Sequence, residues 1–406
     1  MNILFTGFYF DGWHGSMIHI CEIAEYLSSQ GHRCYCASVS ITDEVVHFAH
    51  SKGLELHLPQ ELPLDISYDI VWAYHFPILP YLISRGLQYG KIHIGCLSSF
   101  VALEVPPLFY KECALLSAMS EETKDKLVST YKIPADKIYV LKNLLPDCFI
   151  AQYTPPEYTL KKIIVVSNHI PPEIKELPQY MPDVQIDFFG YGEKAYQPIT
   201  PEILSRYNVV ISIGKTVQYA LGMGMPVYNY DHFGGSGYIT LQNYKKEEFH
   251  NYSGRSFCRK ISAREIAREL TDNYLSTLEQ ASALRQMAIK NYLLSTHIDE
   301  IMQILQQSPQ STIAQSSENL LFIQHCKFII EQCNVYLYQI QTLQNNINQN
   351  TLLQQNFENE RSNFQQAIDL STKQIQKYRR KYKKYKKISL MLIFFIVCII
   401  LSLTLW

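Results

Sequence analysis

The feature that most constrains this chain is an alternation of short β-rich runs with helical stretches that starts twice. Runs at 3–9, 33–39 and 70–74 are separated by a helical pattern at 17–30, and Ser120 is placed to cap a helix over 121–131, followed by a strand at 137–142. After a proline-containing connector at 145–158, the pattern restarts with runs at 161–167, 184–189, 209–213 and 226–230. Strands that alternate with helices form parallel sheets covered on both faces. The expected fold class is therefore α/β, with two Rossmann-like lobes: one over 1–150, a second over 151–305, and a cleft between them.

With 406 residues, 47% of them hydrophobic and 18% charged, the chain has enough apolar material for two packed lobes and more. The formal net charge of -1 argues against nucleic acid as a partner of the body. The ten cysteines include only one close pair, Cys34 and Cys36, without the spacing of a zinc or redox motif, and read as buried thiols in a reducing compartment. The first residues, MNILF, read as a strand rather than a secretion signal.

Beyond the lobes the sequence changes character. Residues 306–318 are rich in Ser and Gln and read as a linker. Over 319–387 a 4,3 spacing runs through Ile329, Cys333, Tyr336, Ile340, Leu343 and Ile347 and on to Tyr385, predicting a coiled-coil stalk and a homo-oligomer through it. Residues 388–406 carry no charge and, at about 1.5 Å per residue, span roughly 28 Å. Arg379, Arg380, Lys381, Lys383, Lys384, Lys386 and Lys387 precede them, predicting one C-terminal transmembrane helix with the body on the cytoplasmic side.

Two stretches can carry chemistry. The run TGFYFDGWHGS at 6–16 follows the first strand and leads into a helix, so Gly15 and Ser16 sit where a backbone approaches a ligand. Its spacing is not GxGxxG, and no acidic residue follows the second strand, which argues against a dinucleotide site. In the second lobe VVISIG at 209–214 leads to Lys215 and Thr216 at a helix start, where an ammonium, a hydroxyl and helix-terminal N–H groups suit phosphates. That helix ends at Gly224-Met225-Pro226 and is followed by VYNYD, His232 and a glycine loop over 233–237 that carries Gly234, Gly235 and Gly237.

This succession of strand, helix, Gly-x-Pro-Val turn, strand and glycine run resembles the GT-B glycosyltransferases, particularly family 4, over about residues 1–305. The run SEETKDKLVSTYKIPADKIYVLKN at 120–143 is similar to the late first-lobe pattern of that family. The resemblance implies a hexosyltransferase-like enzyme that moves a sugar from a nucleotide-diphosphate donor to a surface-glycan or lipid-linked acceptor, retaining configuration and needing no metal or other cofactor. It implies His75 as a cleft histidine, with donor contacts from Gly15, Ser16, Gly214, Lys215, Thr216, Asp231, His232, Gly234, Gly235 and Arg255. One departure stands out: Tyr219 occupies the place where the family carries a ribose-binding glutamate. Two other readings therefore stand beside it: a GT-B body that binds without turnover on a membrane-tethered coiled coil, and a sugar-nucleotide epimerase.

Overall fold

The computed structural model describes residues 1–152, 157–193 and 196–347. Its first sheet has seven parallel strands: β1 (Asn2–Thr6), β2 (Arg33–Ala37), β3 (Leu54–His57), β4 (Ser67–Ala73), β5 (Gln88–Cys96), β6 (Leu115–Ala118) and β7 (Tyr139–Val140). Their spatial order is β3-β2-β1-β4-β5-β6-β7. The second sheet contains β8 (Lys162–Val166), β9 (Gln185–Phe189), β10 (Val209–Ser212), β11 (Val227–Asp231) and β12 (Gly234–Tyr238), ordered β9-β8-β10-β11-β12. Only β12 is antiparallel, folding back on β11.

Seven helices matter below: α1 (Gly15–Ser29), α2 (Ile78–Ser84), α3 (Glu121–Tyr131), α4 (Lys215–Gly222), α5 (Tyr274–Tyr292), α6 (Leu294–Gln307) and α7 (Ser317–Ile347). Because strand side chains alternate, Ile3 and Phe5 pack beneath α1, whereas Leu4 joins the core beneath α2. Both faces are thus apolar, as a parallel sheet requires. The chain crosses between lobes at Leu293, whose non-helical backbone separates two helices of different allegiance. Leu284 and Ala288 of α5 pack with Val217 of the second lobe, and Ile298, Ile301 and Leu305 of α6 return to the α1 face of the first.

The segment after α6, expected to be a linker, is fastened to the first lobe. Ser311 is 4% exposed, and its Oγ accepts N–H bonds from Ile92 at 2.9 Å and Ala114 at 3.1 Å. The start of the expected stalk is α7, which lies on α2 with Phe322, Ile323, Cys326 and Ile330 buried in the first-lobe core. Of the seam residues expected to face a partner helix, Cys333 alone packs against that core among the described residues, so α7 docks through a neighbouring stripe. The rest of the stalk, from 348, and the apolar stretch 388–406 lie outside the described residues. Among the described residues no helix is long and apolar enough to cross a membrane.

Candidate functional site

In open α/β sheets a ligand crevice forms beyond the carboxyl ends of the strands where their order reverses. In the first sheet that point lies between β1 and β4, and in the second between β8 and β10. The loops leaving β1 and β10 are the two glycine-bearing runs singled out in the sequence. Each leads into a helix that no side chain caps: α1, preceded by His14, and α4, preceded by Gly214. Gly214 has φ 60°, a left-handed conformation that disfavours any residue with a Cβ, and its N–H is held by the Tyr252 carbonyl at 3.1 Å. Two helix starts that no side chain caps among the described residues, one from each lobe, therefore border the same cleft. Gly15, Ser16, Gly214 and Thr216 all belong to them.

The lobes touch around this cleft. The Trp13 N–H donates to Tyr196 Oη at 3.0 Å and its indole N–H to the Tyr196 carbonyl at 3.1 Å. Lys215 reaches back from the start of α4 to Glu22 of α1, Nζ to Oε2 at 2.5 Å, and Tyr219 Oη donates to the same carboxylate. The tyrosine in the place of the expected ribose-binding glutamate is itself buried, stacked on Phe149 with ring centroids 4.2 Å apart. Burial raises the Glu22 pKa, while the Lys215 charge and the two hydrogen bonds pull the other way. At the opposite rim Arg255 pairs with Glu122 of α3 at 2.5 Å, and His250 Nδ1 lies 3.0 Å from the same carboxylate. Both cations expected at phosphates are thus engaged by first-lobe glutamates.

His75 follows β4 at φ 55°, a left-handed position rare outside glycine. The Phe8 N–H donates to Nδ1 at 2.7 Å, which places the ring proton on Nε2, 3.1 Å from Glu104 Oε1. Glu104 in turn accepts the Leu97 N–H at 2.7 Å. Both nitrogens are committed, and the ring is 6% exposed. A histidine that the sequence reading passed over is better placed. His14 Nε2 lies 2.9 Å from Asp11 Oδ1, and Ser40 Oγ donates to Oδ2 at 2.6 Å. Among the described residues Asp11 is the only hydrogen-bond partner of the His14 ring, which is 44% exposed at the start of α1. Burial acts to raise the Asp11 pKa, but the bonds from His14 and Ser40 outweigh it and hold the carboxyl below its ordinary value.

The glycine run after His232 is not a loop. Gly234–Tyr238 is β12, and a Cβ on Gly235 would lie 1.9 Å from the Asn229 carbonyl oxygen, so that glycine serves the close approach of two backbones. Gly234, at φ 82°, is likewise pressed under the Arg259 carbonyl. Asp231 is 2% exposed and accepts from Ser167 Oγ at 2.7 Å and from the His232 N–H at 2.6 Å. His232 remains part-exposed beside His169, their ring centroids 5.2 Å apart. Among the described residues no group of His, Cys, Asp or Glu could hold a metal ion.

No protein-family model and no curated protein matches the chain. Solved structures do. A glycosyltransferase from Rickettsia africae is 16% identical, with 75% of this chain and 98% of that one covered and a TM-score of 0.47. CalG4, the calicheamicin glycosyltransferase, is 12% identical over 75% and 98%, with a TM-score of 0.43. A UDP-GlcNAc 2-epimerase from Neisseria meningitidis, solved with UDP-GlcNAc, is 13% identical over 72% and 100%, with a TM-score of 0.40. These are likenesses of fold, and the two-lobe architecture rests on the sheet topology itself.

Proposed function

We propose that this chain transfers a sugar from a nucleotide-diphosphate sugar to a glycan or lipid-linked acceptor. The observation that carries the reading is the uncapped start of α4, entered through the left-handed Gly214 at the switch point of the second sheet. A leaving diphosphate needs its charge met by oriented donors, and the first N–H groups of α4 with the Thr216 hydroxyl supply them without a metal. Gly15 and Ser16 at the facing start of α1 would border the sugar, and the exposed edge of His232 would meet its hydroxyls. His14, oriented by Asp11, is the group to accept the acceptor proton, a role His75 could fill only by giving up a present partner.

Residues 388–406 with the basic run before them would tether the body to a membrane, and the stalk would pair copies. A second reading, binding without turnover, draws support from one observation: Lys215 and Arg255 are both spent on carboxylates. The test is to present UDP-, GDP- and dTDP-sugars to the detergent-purified full chain and record thermal stabilisation and donor hydrolysis. Stabilisation with slow hydrolysis supports the transferase, stabilisation alone the binding module, and no response to any nucleotide sinks both. Gly214→Val should abolish a response, because it removes the left-handed turn that opens α4.

A further inference from the structure

Arg255 stands on a strained loop. Asn251 (φ 53°), Tyr252 (φ 52°) and Cys258 (φ 50°) are left-handed without being glycine, and Gly254 (φ 76°) is left-handed between them. Such conformations persist only where neighbours impose them, and they gather at segments that switch. One side of the loop is registered on the second lobe, since the Tyr252 carbonyl accepts the Gly214 N–H at 3.1 Å and the Asn229 side-chain amide at 2.7 Å. The other side is held across the cleft by Glu122, which takes Arg255 Nη2 on one oxygen and His250 Nδ1 on the other. The guanidinium lies over the rings of Phe100, 4.5 Å away in the first lobe, and Phe233, 5.6 Å away in the second.

This grip is incomplete. A guanidinium offers a planar fork that a carboxylate or phosphate can fill with two parallel bonds. Here one carboxylate oxygen takes one arm, and Nε is buried without a hydrogen-bond partner among the described residues. A desolvated N–H left unmatched carries a cost that a better-fitting anion would relieve. The loop that carries this under-used cation also positions the start of α4, where the proposed diphosphate would bind.

We propose that Glu122 is a built-in competitor of the anionic ligand: it latches Arg255 and the 250–258 loop to the first lobe, and a bound diphosphate draws Arg255 off Glu122 and frees the lobes. The ligand's identity rests on the nucleotide-sugar reading, whereas the latch does not. A ligand that binds only the unlatched form binds more weakly by the fraction of molecules unlatched, so removing the latch raises apparent affinity.

The test uses the full chain in detergent, with UDP as the probe, followed by calorimetry and by hydrogen exchange over 250–258. Glu122→Gln should bind UDP about tenfold more tightly than wild type and exchange faster over that loop before UDP is added, the size expected for coupling of about 1.4 kcal/mol. Arg255→Lys, which keeps the charge and loses the fork, should speed loop exchange equally while binding UDP more weakly than Glu122→Gln. UDP that binds wild type and Glu122→Gln alike overturns the competitor and leaves the nucleotide reading standing. Loop exchange unchanged in both variants overturns the latch whatever UDP does. UDP that binds none of the three proteins overturns the nucleotide reading for this probe, and the competitor with it.

Discussion

Two glutamates of the first lobe hold two cations of the second, and the contrast between the two places is instructive. At the hinge side Glu22 meets Lys215 and Tyr219, close to where Leu145 and Leu293 bridge the crossing strands of chain; the paired side chains are 13% and 11% exposed. At the rim Glu122 meets Arg255 and His250, with side-chain exposures of 19% and 25% for the ion pair. The chemistry is the same: one carboxylate, one cation, one further donor. What differs is the support. The hinge pair sits on regular helices and is walled by the Tyr219–Phe149 stack, whereas the rim pair hangs from a loop of left-handed residues. A buried pair is costly to break because it leaves a charge without water or partner, while a half-open pair exchanges. The first is suited to a pivot and the second to a latch.

The sharpest way to break this comparison is at the pivot. Lys215→Met should destabilise the chain by about 3–5 kcal/mol, since Glu22 would lose the charge that offsets its burial. Urea midpoints at neutral pH measure it, and a loss under about 1 kcal/mol would mean the two sites are energetically alike. The same substitution is a poor probe of donor binding for that reason. Tyr219→Phe keeps the stack and removes one hydrogen bond to a charged group, with an expected cost of about 1.5–3 kcal/mol by the same measurement.

A pH series separates the sites further. Burial raises the Glu22 pKa above its ordinary 4.5, so between that value and its folded value the native state binds more protons than the unfolded chain. Stability contributed by this group must therefore fall as pH rises through the window. The difference between wild type and Glu22→Gln, followed upward from pH 4.5 in urea titrations, should shrink; a difference that grows would show Lys215 overriding burial.

These pairings also mark where the sequence stops being readable. The frame was legible because β1, β2, β8 and β10 are short apolar runs ended by small residues, each followed by turn or helix signals. Strand β5 was missed: Lys91, His93 and two glycines break its apolar pattern. Its polar side chains find partners in other segments: Lys91 donates to the Gln306 carbonyl and His93 Nε2 pairs with Ser117 Oγ, while His93 Nδ1 is buried without a hydrogen-bond partner among the described residues. The glycines of β12 mimicked a loop because what leaves no room for a Cβ at Gly234 and Gly235, the Arg259 and Asn229 carbonyls, comes from other segments. The helix starts at Gly15 and Gly214 could be read locally. Glu22 and Glu122 could not, because their partners lie 197 and 133 residues away for Tyr219 and Arg255, and nothing in spacing announces such a contact. Tyr219 read alone as a lost glutamate, whereas in three dimensions it brings a different carboxylate, Glu22, to the same helix.

The smallest expected effect is the most discriminating. Glu122→Gln should cost less than about 1 kcal/mol of global stability, because the rim pair is part-exposed and the neutral amide can still accept one bond from Arg255. The same change removes the charge that holds the 250–258 loop across the cleft, so a wild-type urea midpoint should coexist with faster exchange confined to that loop. Such a split is what separates a latch from a pivot: local opening draws on the free energy of one loop, whereas loss of the hinge pair is charged to the whole fold. A midpoint shift as large as that of Lys215→Met would place Glu122 in the structural core of the lobe contact, leaving the strained loop without a role in opening.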